Sequence, residues 1–308
     1  MQRYIMVRLA QGALVIFLVS LGTFAMMHLI PGDPISLMIG EAKISQEQID
    51  AIKAKWGLDR PLSIQYLTWI GNMVRGDFGQ SVVRVGVPVR TMLAEAARVT
   101  IVLNLVAFVV SIAIALPAGI AAAVRRYSGI DYAIMSATTV GVALPNFWIA
   151  LMVIVMFSLV LRWLPPFGLP SWQGYVLPVV VVVIGQMALL TRLMRSSTLD
   201  NMGEDFVRTA RAKGVTERRV VMHHVVRNAL LPIVTVIGYR LAFILSGTII
   251  VETVFALPGL GQLFILSIDR VDYQVVQAIV FILSVLVVLG NLVTDLVYGF
   301  IDPRIRIQ

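Results

Sequence analysis

The sequence predicts an all-α, polytopic membrane protein with six transmembrane helices and a long extracytoplasmic segment after the first. Three observations carry this. Of the 308 residues, 58% are hydrophobic and only 14% charged, and the mean hydropathy is +0.88, far from the balance of a soluble domain. Apolar runs matching the roughly 20 helical residues that span a bilayer recur six times. These runs lack the alternation of barrel strands, and hydrocarbon offers no partner to an unpaired backbone group, so they must be helices.

In order, the predicted spans cover residues 9–30, 99–124, 132–161, 175–191, 229–255 and 275–301. Residues 1–30 thus form the N-terminal tail and first span, 31–98 the extracytoplasmic segment, and 99–308 a core with the remaining five spans. Arg3 and Arg8 precede the first apolar run as in a signal peptide. That run continues through MMHLIPGDP with no small-residue cleavage pattern, so it is read as a span. Placing both termini in the cytoplasm puts Arg125, Arg126, the basic loop 192–228, Arg304 and Arg306 inside, leaving only Arg162 and Arg270 in the short outer loops. This satisfies the positive-inside rule, from which the long segment 31–98 is exempt. The expected location is the bacterial inner (plasma) membrane. The net charge of +8 lies along the inner edges of the spans, where anionic membrane lipid is its natural partner and no nucleic acid is implied.

The outer segment opens on PGDP at 31–34, a turn that stops the first helix. SQEQIDAIKAKWGL then reads as a short amphipathic helix, with Ser45 as N-cap, Gln48 at the capping-box position, and Ile49, Ile52 and Trp56 on one face. Pro117, Pro145, Pro178 and Pro232 interrupt or begin helices in the core. There is no cysteine, hence no disulfide and no thiolate metal site. No phosphate-binding GxxxxGK[ST] loop is present, and His223 and His224 are adjacent rather than i, i+4, which argues against a zinc-protease site.

The loop NMGEDFVRTARAKGVTERRVVMHHVVRNALLP is basic and punctuated by Gly214. It reads as two short helices, with Asn201 capping the first, Glu204 three residues on, and Thr216 capping the second. Phe206 and Ala210 lie one turn apart, with Val207 adjacent. Such a helix can offer an apolar knob to a partner while its cations face water, lipid phosphate or acidic protein. A plain positive-inside loop is the competing reading.

Here the sequence resembles the permease subunits of binding-protein-dependent ABC importers, specifically the dipeptide/oligopeptide family that also carries nickel and glutathione. In that family a cytoplasmic Glu-Ala-Ala loop, with a glycine four residues after the second alanine, docks on the ATPase. Arg208, Thr209 and Ala210 occupy those positions, followed by Gly214, so the first two depart from the signature. The surrounding ARAKGVTERRVVMHHVVRNALLP is similar to the peptide-permease version. PGDP, WGLDRPLSIQYLTWI, GDFGQS, SGTIIVETVFALPGLGQL and DYQVVQA follow the family order along nearly the whole chain.

The resemblance implies a type I importer permease fold and a division of labour. A second homologous permease would complete the path. Two cytoplasmic ATPase subunits would bind ATP and Mg, this chain holding no cofactor or metal and being no enzyme, and an extracytoplasmic binding protein would deliver short peptides or a related solute. The implied ATPase-coupling residues are Glu204, Asp205, Phe206, Arg208, Thr209, Ala210, Lys213 and Gly214.

Charges within spans are the other functional signal. A central charge costs about 2.5–3.5 kcal/mol on insertion scales, so Arg240, Glu252 and Asp295 must face protein or water. Arg240 and Glu252 are twelve residues apart, about 18 Å of helix, and need separate partners. Both are candidates for the translocation path or its gate, with structural pairing the alternative for Arg240 and the favoured reading for Asp295. A secondary transporter would show inverted repeats and no docking loop, and a membrane-embedded enzyme would need a convergent catalytic cluster. Neither pattern is found in the sequence.

Overall fold

The computed structural model describes residues 2–29, 59–242 and 248–301, and helices make up most of them. In chain order the α-helices are α1 (Gln2–Leu29), α2 (Leu62–Val74), α3 (Val89–Val124), α4 (Gly129–Ala143), α5 (Asn146–Val153), α6 (Val176–Met202), α7 (Asp205–Ala212), α8 (Glu217–Arg219), α9 (Val226–Ala242), α10 (Ile249–Val254), α11 (Leu260–Asp269) and α12 (Tyr273–Ile301). A π-helical stretch, Ile154–Val160, prolongs α5, a second, Val220–Val225, joins α8 to α9, and a 3-10 turn, Trp172–Tyr175, leads into α6.

Among the described residues, five stretches are long and apolar enough to cross a membrane: Met6–Met26, Val89–Val124, Trp172–Met202, Glu217–Arg240 and Tyr273–Thr294. The sixth is a broken pair, Gly129–Ala143 with Asn146–Val160, bent by 104°. Pro145 causes the break. The residue before a proline is forced out of the α region, and Leu144 is extended at ψ 132°, while Pro145 at φ −61° starts the next helix. Pro178 sits in the first turn of α6, where its missing N–H costs nothing. Pro117 and Pro232 lie inside α3 and α9.

Several boundaries differ from the sequence reading. Helix α3 starts ten residues before the predicted span, α6 runs on to Met202, and the helix predicted to start at 229 is already helical from Glu217. A search for apolar runs stops at Arg98, Arg192 and Arg227, whereas intrahelical hydrogen bonds carry a helix past the edge of the hydrocarbon. Basic loop 192–228 therefore reduces to a connection around α7, its flanks being helical. The amphipathic helix expected around Ser45–Trp56 lies outside the described residues.

The chain divides into two compact units, Met1–Arg98 with Gly259–Gln308, and Val99–Pro258. In the first, α1 packs along α12, where a Cβ on Gly12 would lie 2.6 Å from Val288 Cγ1. An aromatic cluster ties α2 in: Tyr66 meets Phe24 edge-on at 5.4 Å, Trp69 meets Phe281 at 6.4 Å, and the Tyr66 and Ser20 hydroxyls share a hydrogen bond of 2.8 Å.

The second unit is built around α6. Its N-terminal half packs Val181, Val182 and Val183 with Leu103, Ile149 and Phe255, and its C-terminal half packs Leu190 and Met194 with Ala115, Ala229 and Ile233. Small residues let the backbones approach, the main route to tight packing where no hydrophobic drive acts between helices. At Gly119 of α3, an added Cβ would stand 2.7 Å from both Met194 Cβ and the Thr191 carbonyl oxygen. The α3–α4 turn is held by a buried carboxylate: Asp131 pairs bidentately with Arg195 of α6 at 2.7 Å twice and accepts the Tyr127 N–H at 3.0 Å.

Gly119→Val is expected to force α3 away from α6 and destabilise the protein by at least about 1–3 kcal/mol. A fall in the midpoint of thermal unfolding, followed by size-exclusion chromatography in detergent, checks this.

Candidate functional site

The basic loop folds into a compact knob. Gly203 ends α6, and Glu204, extended at ψ 153°, is the N-cap of α7. Asn201, the expected cap, is instead the penultimate residue of α6, where its amide donates to the Ser197 carbonyl at 2.8 Å. Thr216 is the N-cap of α8, as its position suggested, although its side chain makes no capping bond. The second short helix expected there is not a separate element, because α8 runs through the π-helical stretch into α9.

Helix α7 has one buried face. Val207 and Ala210 pack against Val220 and Val225, with Met202 and Val215 at the edge. The rest of the expected coupling residues, Glu204, Asp205, Phe206, Arg208, Thr209, Lys213 and Gly214, are exposed. Arg211 forks onto Glu217 at 2.6 and 3.0 Å, tying α7 to α8 across the turn. That carboxylate raises the already high pKa of the Arg211 guanidinium by hydrogen bonding it.

Gly214 has φ +74°, and a Cβ there would meet nothing within 4 Å. The glycine is therefore needed for its left-handed backbone and not, within this chain, for a close approach. Ala210 is the residue confined by packing. Phe206 is 38% exposed and, with Glu204, forms one wall of a cleft of about 500 Å³, whose other walls include Asp200 of α6 and Asn228 and Pro232 of α9.

The two charges expected within one span separate: Arg240 ends the span Glu217–Arg240, and Glu252 lies beyond it in α10. Arg240 is part-buried near the described end of α9 and has neither an ion pair nor a hydrogen bond among the described residues. Glu252 is wholly buried in α10, accepting from the Thr100 hydroxyl at 2.9 Å and the Thr248 hydroxyl at 2.8 Å. Asn104 donates to Thr248 at 3.1 Å, completing a polar cluster between α3 and α10. Glu252 thus sits among side chains of α3. The side chain of Asp295 lies outside the described residues.

Sequence reasoning missed the partners of these charges. Asp131 and Arg195 are 64 positions apart, and Glu252 is 152 positions from Thr100. The available signal was a carboxylate opening an apolar run at Asp131. A second meeting joins two motifs: in GDFGQS and DYQVVQA, Ser81 hydrogen-bonds Asp272, the Val82 N–H donates to Asp272 at 3.2 Å, and Gly79 faces Gln274. The loop is closed by an antiparallel bridge between Gln80 and Pro88.

Several apolar spans, a broken pair and an exposed knob between two spans are the features of an integral membrane protein. The backbone is similar to that of a solved amino acid ABC transporter crystallised with histidines, at a TM-score of 0.50 and 16% identity, covering 67% of this chain and 92% of that one. Residues 115–307 match the model of the binding-protein-dependent transport system inner membrane component, and residues 1–92 match that of the N-terminal part of such membrane components. The chain belongs to this family, and is thus a multi-pass inner-membrane permease component. It is 40% identical to the oligopeptide transport system permease protein AppB of Bacillus subtilis, over 99% of this chain and all of that protein. A putative peptide permease of Brucella suis is 38% identical over the full length of both chains, and the glutathione transport system permease GsiC of Escherichia coli K12 is 39% identical over 99% of each.

Gly214→Ala is expected to strain the turn by about 1–2 kcal/mol and to raise hydrogen exchange of the α7 amides by about tenfold. Exchange in the spans should be unchanged in the same measurement.

Proposed function

We propose that this chain, together with a second homologous permease, forms the translocation path of an importer for short peptides. Two cytoplasmic ATPase subunits drive it with ATP and Mg, and an extracytoplasmic binding protein delivers the solute. The full-length similarity to oligopeptide and peptide permeases is the observation that carries the solute. Glutathione is itself a short peptide, so the similarity to a glutathione permease falls within the same reading.

On this reading both termini and α7 face the cytoplasm, and the segment after α1 lies on the extracytoplasmic side, with α2 resting against the outer half of α1. The α7 knob fits a docking role because it is bound to its own chain through Val207 and Ala210, while Phe206, Arg208, Thr209 and Lys213 stay exposed to another protein. The notch beside Phe206 gives an ATPase side chain a place to seat. Gly214 sets the angle at which α7 leaves the membrane-spanning helices. Glu252 supports the path indirectly by holding α10 to α3, and Arg240 serves in the path itself, where a permanently charged guanidinium meets peptide carboxylates. Loose binding there is an advantage, because tight binding would slow release.

In the assembled transporter, Phe206→Cys is expected to cross-link to an ATPase subunit through a short bifunctional reagent and to lose that product when Gly214→Trp is added. Cross-links only to the other permease would overturn the docking assignment.

Arg240→Gln is expected to assemble and hydrolyse ATP while uptake of acidic peptides falls about tenfold against basic ones, the factor set by about 1.4 kcal/mol of lost charge interaction. Failure to assemble would mark Arg240 as a structural ion-pair partner, and unchanged uptake of every peptide would remove it from the path.

A further inference from the structure

Within the first unit, α1 and α2 enclose a groove of about 580 Å³ walled by Phe17, Leu21, Phe24, Leu62, Tyr66 and Leu67. Its size lies in the range of sites for small organic ligands, about 300–1,000 Å³, and far exceeds the roughly 30 Å³ of one water. The lining is almost wholly apolar. Tyr66, the main polar side chain on the wall, has its hydroxyl bonded to Ser20, and its ring is fixed by edge contacts with Phe17 at 6.3 Å and Phe24 at 5.4 Å. The groove therefore has rigid aromatic walls and little to offer a polar ligand.

Phe17, Leu21 and Phe24 all belong to the span Met6–Met26, so the α1 wall lies at hydrocarbon depth. Leu67 on the opposite wall is 66% exposed. At the head of α2 the chain becomes polar: Asp59 and Arg60 are both exposed and stand just before Leu62. Charges in a membrane protein mark the polar boundary unless buried against protein, which sets this end of the groove at headgroup level. An apolar slot at hydrocarbon depth, with an exposed arginine two residues before its Leu62 wall, matches an acyl chain continued by a phosphate.

We propose that the α1–α2 groove binds one acyl chain of a membrane glycerophospholipid, with Arg60 favouring an anionic headgroup. The lipid fills the space between two helices that touch mainly through the aromatic cluster, and so fixes the angle at which α2 leaves α1. This depends only on the chain being an integral membrane protein, and is separate from the identity of its solute.

The test uses the assembled transporter in nanodiscs containing phosphatidylglycerol or phosphatidylcholine, each with a photoactivatable diazirine in its acyl chain. Illumination followed by peptide mapping is expected to place label on α1 residues 17–25 and α2 residues 62–67, more strongly with phosphatidylglycerol. Leu67→Trp should fill the groove and cut this labelling about tenfold, since excluding even two methylenes forfeits that factor in affinity, while label along α12 is unchanged. Arg60→Gln should leave acyl labelling in place and equalise the two headgroups. Groove labelling that ignores Leu67→Trp would overturn the site. Absence of label there in the assembled transporter would also overturn it, assigning the groove to a neighbouring protein chain, and equal wild-type labelling by both lipids would overturn the role of Arg60.

Discussion

Hydrocarbon offers no hydrogen bonds, and this one constraint organises the second unit. Every polar group drawn into the spans must find a partner in the protein or bear a penalty of several kcal/mol. The pairings are correspondingly specific. Asp131 takes both arms of the Arg195 fork and a backbone N–H, and Glu252 takes two threonine hydroxyls. Each fixes a place where packed helices would otherwise slide: the first pins α4 to α6, the second pins α10 to α3. Apolar packing in a membrane is nearly degenerate in register, because one Val or Leu face against another differs little from the same faces shifted by a turn. A buried carboxylate with one set of donors removes that degeneracy.

Close packing supplies the rest. The α3–α6 contact works because Gly119 presents no Cβ to the Thr191 carbonyl, and because Ala115, packed with Leu190 and Met194, is small and fully buried. Van der Waals contact rises steeply as helix axes converge, so a glycine here contributes more than a large apolar residue could. Beside this, the broken pair α4–α5 is a local consequence of Pro145, and its 104° bend requires no long-range cause.

Legibility followed the range of the interactions. The spans, their helical form and the break at Pro145 could be read because hydropathy and proline act locally. The α7 helix could be read from Phe206, Val207 and Ala210, but its cap could not: Asn201 with Glu204 three residues on looked like the cap, yet α6 continues to Met202 and leaves the N-cap to Glu204. Gly214 was read as the break between two short helices, and the turn there has its left-handed backbone. A glycine in sequence does not distinguish a left-handed turn from a crowded approach, and only its φ of +74° and the empty space around it separate the two. Partners of Glu252 and Asp131 were out of reach, since they are separated by dozens of positions and chosen by packing. Family motifs did better over distance. GDFGQS and DYQVVQA were recognisable as text, and the Ser81–Asp272 contact supplies a physical reason for both.

The path from the α7 knob into the membrane is short, and its stiffness is uneven. Val207 and Ala210 sit on Val220 and Val225, so displacement of α7 is carried by packed side chains to the π-helical stretch Val220–Val225. A π-helical turn holds an extra residue per turn and strains the ordinary hydrogen-bond ladder, which makes it a natural point for a change of register. Beyond it, α9 carries Pro232, which removes one more ladder bond, and then Arg240. In the proposed importer, force from an ATPase would thus enter through a rigid apolar contact and meet two successive weak points before reaching the charge in the path. The Arg211–Glu217 fork spans the turn around Gly214 and keeps α7 and the head of α8 moving together. In that proposed importer the compliance would lie in the π-helical stretch and at Pro232, and displacement of the knob would become rotation or bending of α9.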